Sequence, residues 1–278
     1  MIECLSSIIK QQDKNFEIIA IDDGSTDGSY LVAAEYLREN LTTKHWKLTR
    51  RENHGINKTI NEAIQNSSGE IIFILASDDR MIDGALTKVR EAYLNESNRC
   101  KLFFYDNSLI DWLGQPVNPS VSRSRRGGPS LLAKSKLHLA AQIILNWGWP
   151  FANQFYSREY YNLYGPYPEH FKYEDLYFAL KSIVNDKFTF VPVILKDYRL
   201  RKDQTHTPGL TLADLDQSEI RSNFERSTRF RYTILLFASR QYYSSRLTLS
   251  KYIFGKFMGF MHRSISYWCN LLNMLWRR

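Results

Sequence analysis

Two short apolar runs, Phe16–Asp22 (FEIIAID) and Glu70–Ala76 (EIIFILA), constrain this chain most, because each leads into adjacent carboxylates. Asp22-Asp23 closes the first run, and Asp78-Asp79 follows the second after Ser77. Runs of this kind, apolar at successive positions, predict strands buried on both faces, as in a sheet covered by helices. Helical signals separate and follow them. Asp27 is the expected N-cap of a helix through Tyr30–Glu39, and Ile56, Ile60 and Ile64 share one face of a helix through Asn57–Ile64. A further helix is expected over Asp83–Leu94, with strands at Trp46–Arg50 and Lys101–Tyr105. Repeated strand–helix units argue for an α/β fold with a mostly parallel central sheet flanked by helices. In such a sheet the carboxyl ends of the strands share one edge, where open α/β sheets bind ligands. Four acids gathered there repel one another unless a cation or a donor-rich ligand compensates them. A divalent ion with a diphosphate would do so, Mg²⁺ or Mn²⁺ taking one or two carboxylates and completing its shell with phosphate oxygens.

Beyond Asp106 the regular alternation fades. Pro116–Pro129, with Arg123, Arg125 and Arg126, reads as a flexible basic loop, and Asn146–Tyr167 as an irregular stretch dense in Trp, Tyr and Phe. A helix is expected over Tyr173–Val184 and a strand over Phe188–Leu195, and from about Asp214 the sequence turns helical and basic. Hydrophobic residues at 44% and charged residues at 24% exclude a disordered chain. Three distant cysteines exclude a disulfide scaffold and a cysteine-rich zinc site. The net charge of +8 is concentrated in residues 220–278, where eleven Arg and Lys face the single acid Glu225. The body is therefore near neutral.

Within that tail, Lys256 and Arg263 oppose Phe257, Phe260, Met261, Ile265, Trp268, Leu272 and Leu275, the pattern of a basic helix lying in a membrane surface. Its longest charge-free stretch, Ser264–Trp276, is shorter than the ~20 residues a span requires. Met1–Gln12 lacks the basic and apolar regions of a secretory signal, so the expected location is cytoplasmic, peripheral at the inner face of an anionic membrane. The cations cluster in an aromatic amphipathic segment and not in a nucleic-acid module, so no nucleic acid is expected as partner.

Phe16–Gly28 (FEIIAIDDGSTDG), Asn53–Asn61 (NHGINKTIN), Gly69–Asp79 (GEIIFILASDD) and Tyr173–Leu176 (YEDL) occur in this order. Together they resemble the family 2, GT-A-fold inverting glycosyltransferases over roughly residues 2–200. The resemblance implies donor nucleotide contacts at Asp22, Asp23, Asn53, Gly55, Asn61 and Asp78, and a metal ligand at Asp79 joined by His206. Where the family often has an acid and an arginine, this chain has Ala76 and Ile60. Asp175 would be the base that takes the acceptor hydroxyl proton, with Glu174 orienting it. Trp149 and Asn153 would belong to an acceptor wall, beside Trp147, Phe151, Phe155 and Tyr156. The implied donor is a nucleotide-diphosphate sugar, a UDP-sugar first, and the implied acceptor a surface glycan or a lipid-linked one.

The resemblance divides the chain into a transferase domain at 1–212, with its nucleotide-sugar part to about 106 and its acceptor part beyond, and a helical extension at 213–278. Family members begin with an apolar strand before the helix that Ile2–Gln12 resembles. That first strand is missing here, so the functional protein is expected to carry about ten or more residues upstream. A nucleotidyltransferase would need a Gly-rich basic signature after the first strand, and a P-loop or dinucleotide enzyme its glycine motif; the sequence has none of these.

Overall fold

The computed structural model describes residues 1–41, 45–124, 128–145, 153–170 and 174–200, together with residue 224. The chain opens with helix α1 (Ile2–Ile9), strand β1 (Ile18–Asp23), helix α2 (Ser29–Asn40), strand β2 (Trp46–Arg51) and helix α3 (Ile56–Gln65). β1 and β2 run parallel, in register from Ile18 opposite Trp46 to Asp23 opposite Arg51. Leu5, Ile18, Ala33 and Leu37 bury a small core between α1, α2 and this strand pair. The start of α2 differs by one residue from expectation. Gly28, at φ +82°, is its cap, and Asp27 outside it accepts the Ser29 N–H at 3.0 Å.

The other strands build a second sheet: β3 (Ile71–Phe73), β4 (Arg80–Met81), β5 (Leu102–Ile110), β6 (Pro116–Asn118), β7 (Gln154–Ser157) and β8 (Phe188–Arg199). Their order is β3-β7-β5-β8-β4, with β6 on β5. Parallel pairing holds for β1–β2 and β5–β8, whereas β3–β7, β5–β7, β4–β8 and β5–β6 are antiparallel. The mixture has a simple cause. β7 forms inside the stretch expected to be irregular and enters between β3 and β5 in the opposite sense, and β6 returns on β5 through a turn too short for a parallel crossover. Among the described residues β1–β2 and the larger sheet are separate sheets. Glu17 ties them together, its carboxylate accepting the N–H of Ser68 at 2.5 Å and of Gly69 at 2.6 Å ahead of β3.

Helices α4 (Ala85–Leu94), α5 (Gly128–Lys134), α6 (Lys136–Leu145), α7 (Arg158–Tyr164) and α8 (Glu174–Val184) complete the described elements. Alternation along β5 feeds two cores. Phe103 and Tyr105 join Val89, Tyr93, Phe155 and Leu195, while Leu102 and Phe104 join Tyr156, Tyr160, Phe178 and Phe188. A strand with both faces buried, flanked by helical layers, is what the apolar run Leu102–Tyr105 demands of the first half of β5. Phe155 and Tyr156 are thus core residues, fully buried, and not a wall for sugar. Among its described residues the expected basic loop contains β6, a 3₁₀ turn at Ser122–Ser124 and the start of α5. Among the described residues no helix is long and apolar enough to cross a membrane. The amphipathic segment expected in the tail lies outside the described residues, as do Trp147, Trp149, Phe151 and His206.

Candidate active site

β1 delivers Asp22 and Asp23 to a turn. The Asp22 Oδ1 accepts the N–H of Gly24 at 3.1 Å and of Ser25 at 2.7 Å, and its buried Oδ2 has no partner among the described residues. Asp23 reaches across to the segment before α3. Its Oδ1 accepts from His54 N–H at 2.9 Å and its Oδ2 from Gly55 N–H at 3.0 Å, and Arg51 pairs with it. Burial pushes this carboxyl up, but the His54 and Gly55 N–H groups, the Thr59 hydroxyl and Arg51 outweigh it and hold it below the usual carboxylate range. Glycine is required at two places. Gly24 (φ +93°) lies so close to Asn53 that an added Cβ would meet its backbone nitrogen at 2.9 Å, and Gly55 has φ +87°. Asp22, Asp23, Asn53 and Gly55 therefore stand together. Asn61 does not join them. It is buried, accepting from Tyr161 Oη at 3.0 Å and from the Tyr167 N–H at 2.9 Å while donating to the Tyr167 carbonyl. Its bonds are those of a packing residue that anchors the chain around Tyr167.

The second acid pair has different surroundings. Asp79 N–H closes a turn on the Ala76 carbonyl at 3.1 Å. Asp79 is only 2% exposed, and both its oxygens are engaged. Oδ2 accepts from Lys196 Nζ at 2.7 Å and Oδ1 from the Arg199 backbone N–H at 3.0 Å. Arg199 Nε donates to the Asp78 carbonyl at 2.8 Å, its Nη1 reaches the carbonyls of Asp111 and Trp112, and Nη2 pairs with Glu3. Asp197, between them, pairs with Arg80 and accepts from Ser108. Cys4 of α1 adjoins this turn, its Sγ 3.5 Å from the Ala76 carbonyl. Burial raises that thiol to about 12, the N-terminus lowers it, and Asp79 and Asp78 raise it further.

This donor set does not fit a divalent ion at Asp79. A metal there would have to displace an ammonium and a peptide N–H, and among the described residues no three His, Cys, Asp or Glu side chains gather around a common point. The expected ligand role of Asp79 thus meets a lysine in its place.

Asp175 is half-buried in the first turn of α8, with its Oδ1 accepting the Leu176 N–H at 2.7 Å. Burial raises its carboxyl to about 6, opposed by the N–H groups of Leu176 and Asp175 and by the charge of Lys196. Lys196 is therefore within electrostatic reach of both Asp79 and Asp175. Glu174 begins the helix. Asn153 is buried, donating to the Asn107 side chain at 2.6 Å, so its amide is spent inside the fold. Gln154, its neighbour on β7, donates to the Asp175 carbonyl at 2.9 Å and keeps a buried Oε1 without a partner among the described residues. Lys196 escapes sequence reading. The signal for Lys196 is a charged pair, Lys196-Asp197, inside an otherwise apolar strand.

Residues 1–120 match the family model described as Glycosyl transferase family 2. An uncharacterised protein of Mycobacterium tuberculosis is 28% identical over 199 residues, covering 68% of this chain and 59% of its own length. A GalNAc(5)-diNAcBac-PP-undecaprenol beta-1,3-glucosyltransferase of Campylobacter jejuni is 29% identical over 128 residues, 45% of this chain and 41% of its own. The chain thus spans less than two thirds of either relative. Among solved structures, S. aureus TarS 1–349 with UDP-GlcNAc superposes with a TM-score of 0.60 at 20% identity, covering 93% of this chain and 70% of that one. The mannosyltransferase PcManGT of Pyrobaculum calidifontis, with GDP-Man and Mn²⁺, gives 0.57 at 16% identity, covering 87% and 65%. At such identities the likeness establishes the fold, which is GT-A-like.

Proposed function

From the match of residues 1–120 to the family model described as Glycosyl transferase family 2, we propose that this protein is a glycosyltransferase of that family and moves a sugar from a nucleotide-diphosphate donor to a glycan or lipid-linked acceptor, inverting the anomeric centre. A UDP-sugar is the first donor to consider, and surface polysaccharide is the product class. Support comes from the Campylobacter jejuni relative, which by name acts on an undecaprenol-linked glycan, and from fold neighbours solved with UDP-GlcNAc and GDP-Man.

One observation carries the reading: Asp175, a desolvated carboxyl raised to about 6, stands within electrostatic reach of the Lys196 cation beside the Asp78-Asp79 turn. A base of that strength is deprotonated near neutrality and basic enough to receive a hydroxyl proton. In the transfer the acceptor oxygen bonds to the anomeric carbon, its proton passes to Asp175, and the bond from that carbon to the diphosphate breaks. Glu174, next to it, orients the acceptor. Asp22, Asp23, Asn53 and Gly55 line the nucleotide side, where the unpartnered Asp22 Oδ2 is available to a ribose hydroxyl. A divalent ion, Mg²⁺ or Mn²⁺, would supply Lewis acidity to the leaving diphosphate. With Asp79 bonded to Lys196, no step here runs through it. The basic tail with its anionic-membrane contact, and a location at the inner face of a membrane, complete the proposal.

The test is a panel of nucleotide-sugars assayed by thermal shift, because a ligand that binds the native state raises stability by mass action. A rise with at least one nucleotide-sugar, followed by transfer with an inverted product by NMR, is expected. No rise with any member would overturn the reading.

A further inference from the structure

We propose that Lys196 is the resident cation of the donor site, so that a nucleoside diphosphate binds without a divalent ion at Asp79. The inference rests on the transferase reading above and goes beyond it in naming the positive charge that meets the diphosphate.

Four observations carry it. The Lys196 ammonium is buried, the residue 7% exposed, yet a charged head is seldom taken out of water without a fixed role. Its place is set by backbone pairing on two sides: β8 puts Lys196 opposite Met81 of β4, two residues beyond Asp79, and opposite Asn107 of β5. Its Nζ is 2.7 Å from Asp79 Oδ2, while the other Asp79 oxygen takes the Arg199 N–H. Among the described residues Asp79 is the one hydrogen-bond acceptor of that ammonium, and a lysine head carries three N–H donors. The Tyr198 ring lies 5.4 Å from it on one side, and N–H capacity remains for an incoming oxygen anion.

The charge also acts on the Asp175 side. An ammonium held on the acid turn, its charge also felt at the base, is suited to steady charge as it develops on a departing diphosphate. A metal at Asp79 would instead have to break this ion pair and then lie against the displaced ammonium, two like charges in a poorly solvated place. Asp79 is, in this arrangement, the holder of Lys196. A merely structural ion pair would fasten β8 to the turn equally well, and the two roles separate by experiment.

Calorimetry with UDP and with GDP, each in EDTA and in MnCl₂, supplies the readout, because a structural pair leaves the metal dependence of nucleotide binding untouched. The expected result is binding of at least one nucleotide in EDTA, shifted less than about threefold by Mn²⁺. Lys196→Met should weaken the EDTA affinity by about tenfold or more, and Lys196→Arg should restore most of it. Binding by the wild type only with Mn²⁺, or an unchanged EDTA affinity in folded Lys196→Met, overturns the assignment and leaves the transferase reading standing. Failure of both nucleotides under both conditions overturns the donor reading, and this inference with it. Should Lys196→Met fail to fold, Asp79→Asn decides. Retained binding in EDTA supports the cation role, whereas binding that requires Mn²⁺ in the wild type and disappears in Asp79→Asn overturns it.

Discussion

Asp23 and Asp79 occupy matching places in the sequence, each the second acid of a pair that follows an apolar strand. The fold nevertheless treats them differently. Asp23 is partly exposed and held by backbone N–H groups of the His54–Gly55 segment together with Arg51. Asp79 is buried and held by an ammonium from a strand more than a hundred residues away in sequence. The first arrangement shapes a loop at modest electrostatic cost. The second places a charge pair in a poorly solvated interior, where removing one partner strands the other. Adjacent carboxylates at strand ends therefore signal a site without revealing which acids face ligand and which face protein.

The largest expected effect concerns the third acid near Lys196. Asp175→Asn should lower kcat by about 10²–10⁴ while leaving nucleotide affinity unchanged, since the amide keeps the shape but accepts no proton. Turnover within a few-fold of wild type would move the base elsewhere. Next comes the comparison of the two acids. Asp79→Ala should cost about 3–5 kcal/mol in urea unfolding by stranding Lys196. Asp23→Ala should cost about 1–3 kcal/mol, because the groups it releases can be rehydrated. Equal losses would erase the distinction drawn between the pairs.

Smaller effects probe the loop itself. Gly24→Ala should cost about 1–3 kcal/mol, combining a positive φ with a collision against Asn53, whereas Gly55→Ala meets no neighbour within 4 Å and should lose less. The smallest effect follows from the raised Asp175 carboxyl. Its folded pKa of about 6 exceeds the ordinary 3.8, so the stability owed to its protonated form is present below about pH 4 and lost as pH rises through 6. Asp175→Asn should thus gain on the order of 1 kcal/mol over wild type near neutrality and nothing in acid. In the active enzyme, kcat/KM should fall as pH drops through about 6.

Much of the fold was legible. The run Phe16–Asp22 became β1, the Ile56, Ile60, Ile64 face became α3, and the strand expected over Lys101–Tyr105 is the first half of β5. What escaped was non-local. Lys196 and Asp197 look like the end of a strand, so Phe188–Leu195 was the expected range. β8 in fact continues to Arg199, because Asp79 neutralises Lys196 while Arg80 and Ser108 hold Asp197. No local pattern reveals partners that distant. β7 hid for a related reason: its aromatic residues face two different cores, which in sequence is indistinguishable from irregular aromatic crowding. In the candidate site, Asp22 binds its own turn, and Asp23 and Gly55 meet from segments that each carry a recognisable motif. The site was not legible where a side chain is turned inward, as with Asn61 and Asn153.

Arg199 constrains how this chain can change over generations. Its guanidinium and backbone join Glu3 at the beginning of the chain, the Asp78-Asp79 turn, and the Asp111–Trp112 bend between β5 and β6. A mutation there would be pleiotropic, disturbing three segments in one generation, and a suppressor restoring any single segment would leave the other two defective. Position 199 should therefore drift slowly between descendants, and a lineage that did replace it would carry compensating changes at Glu3 and in the β5–β6 bend together.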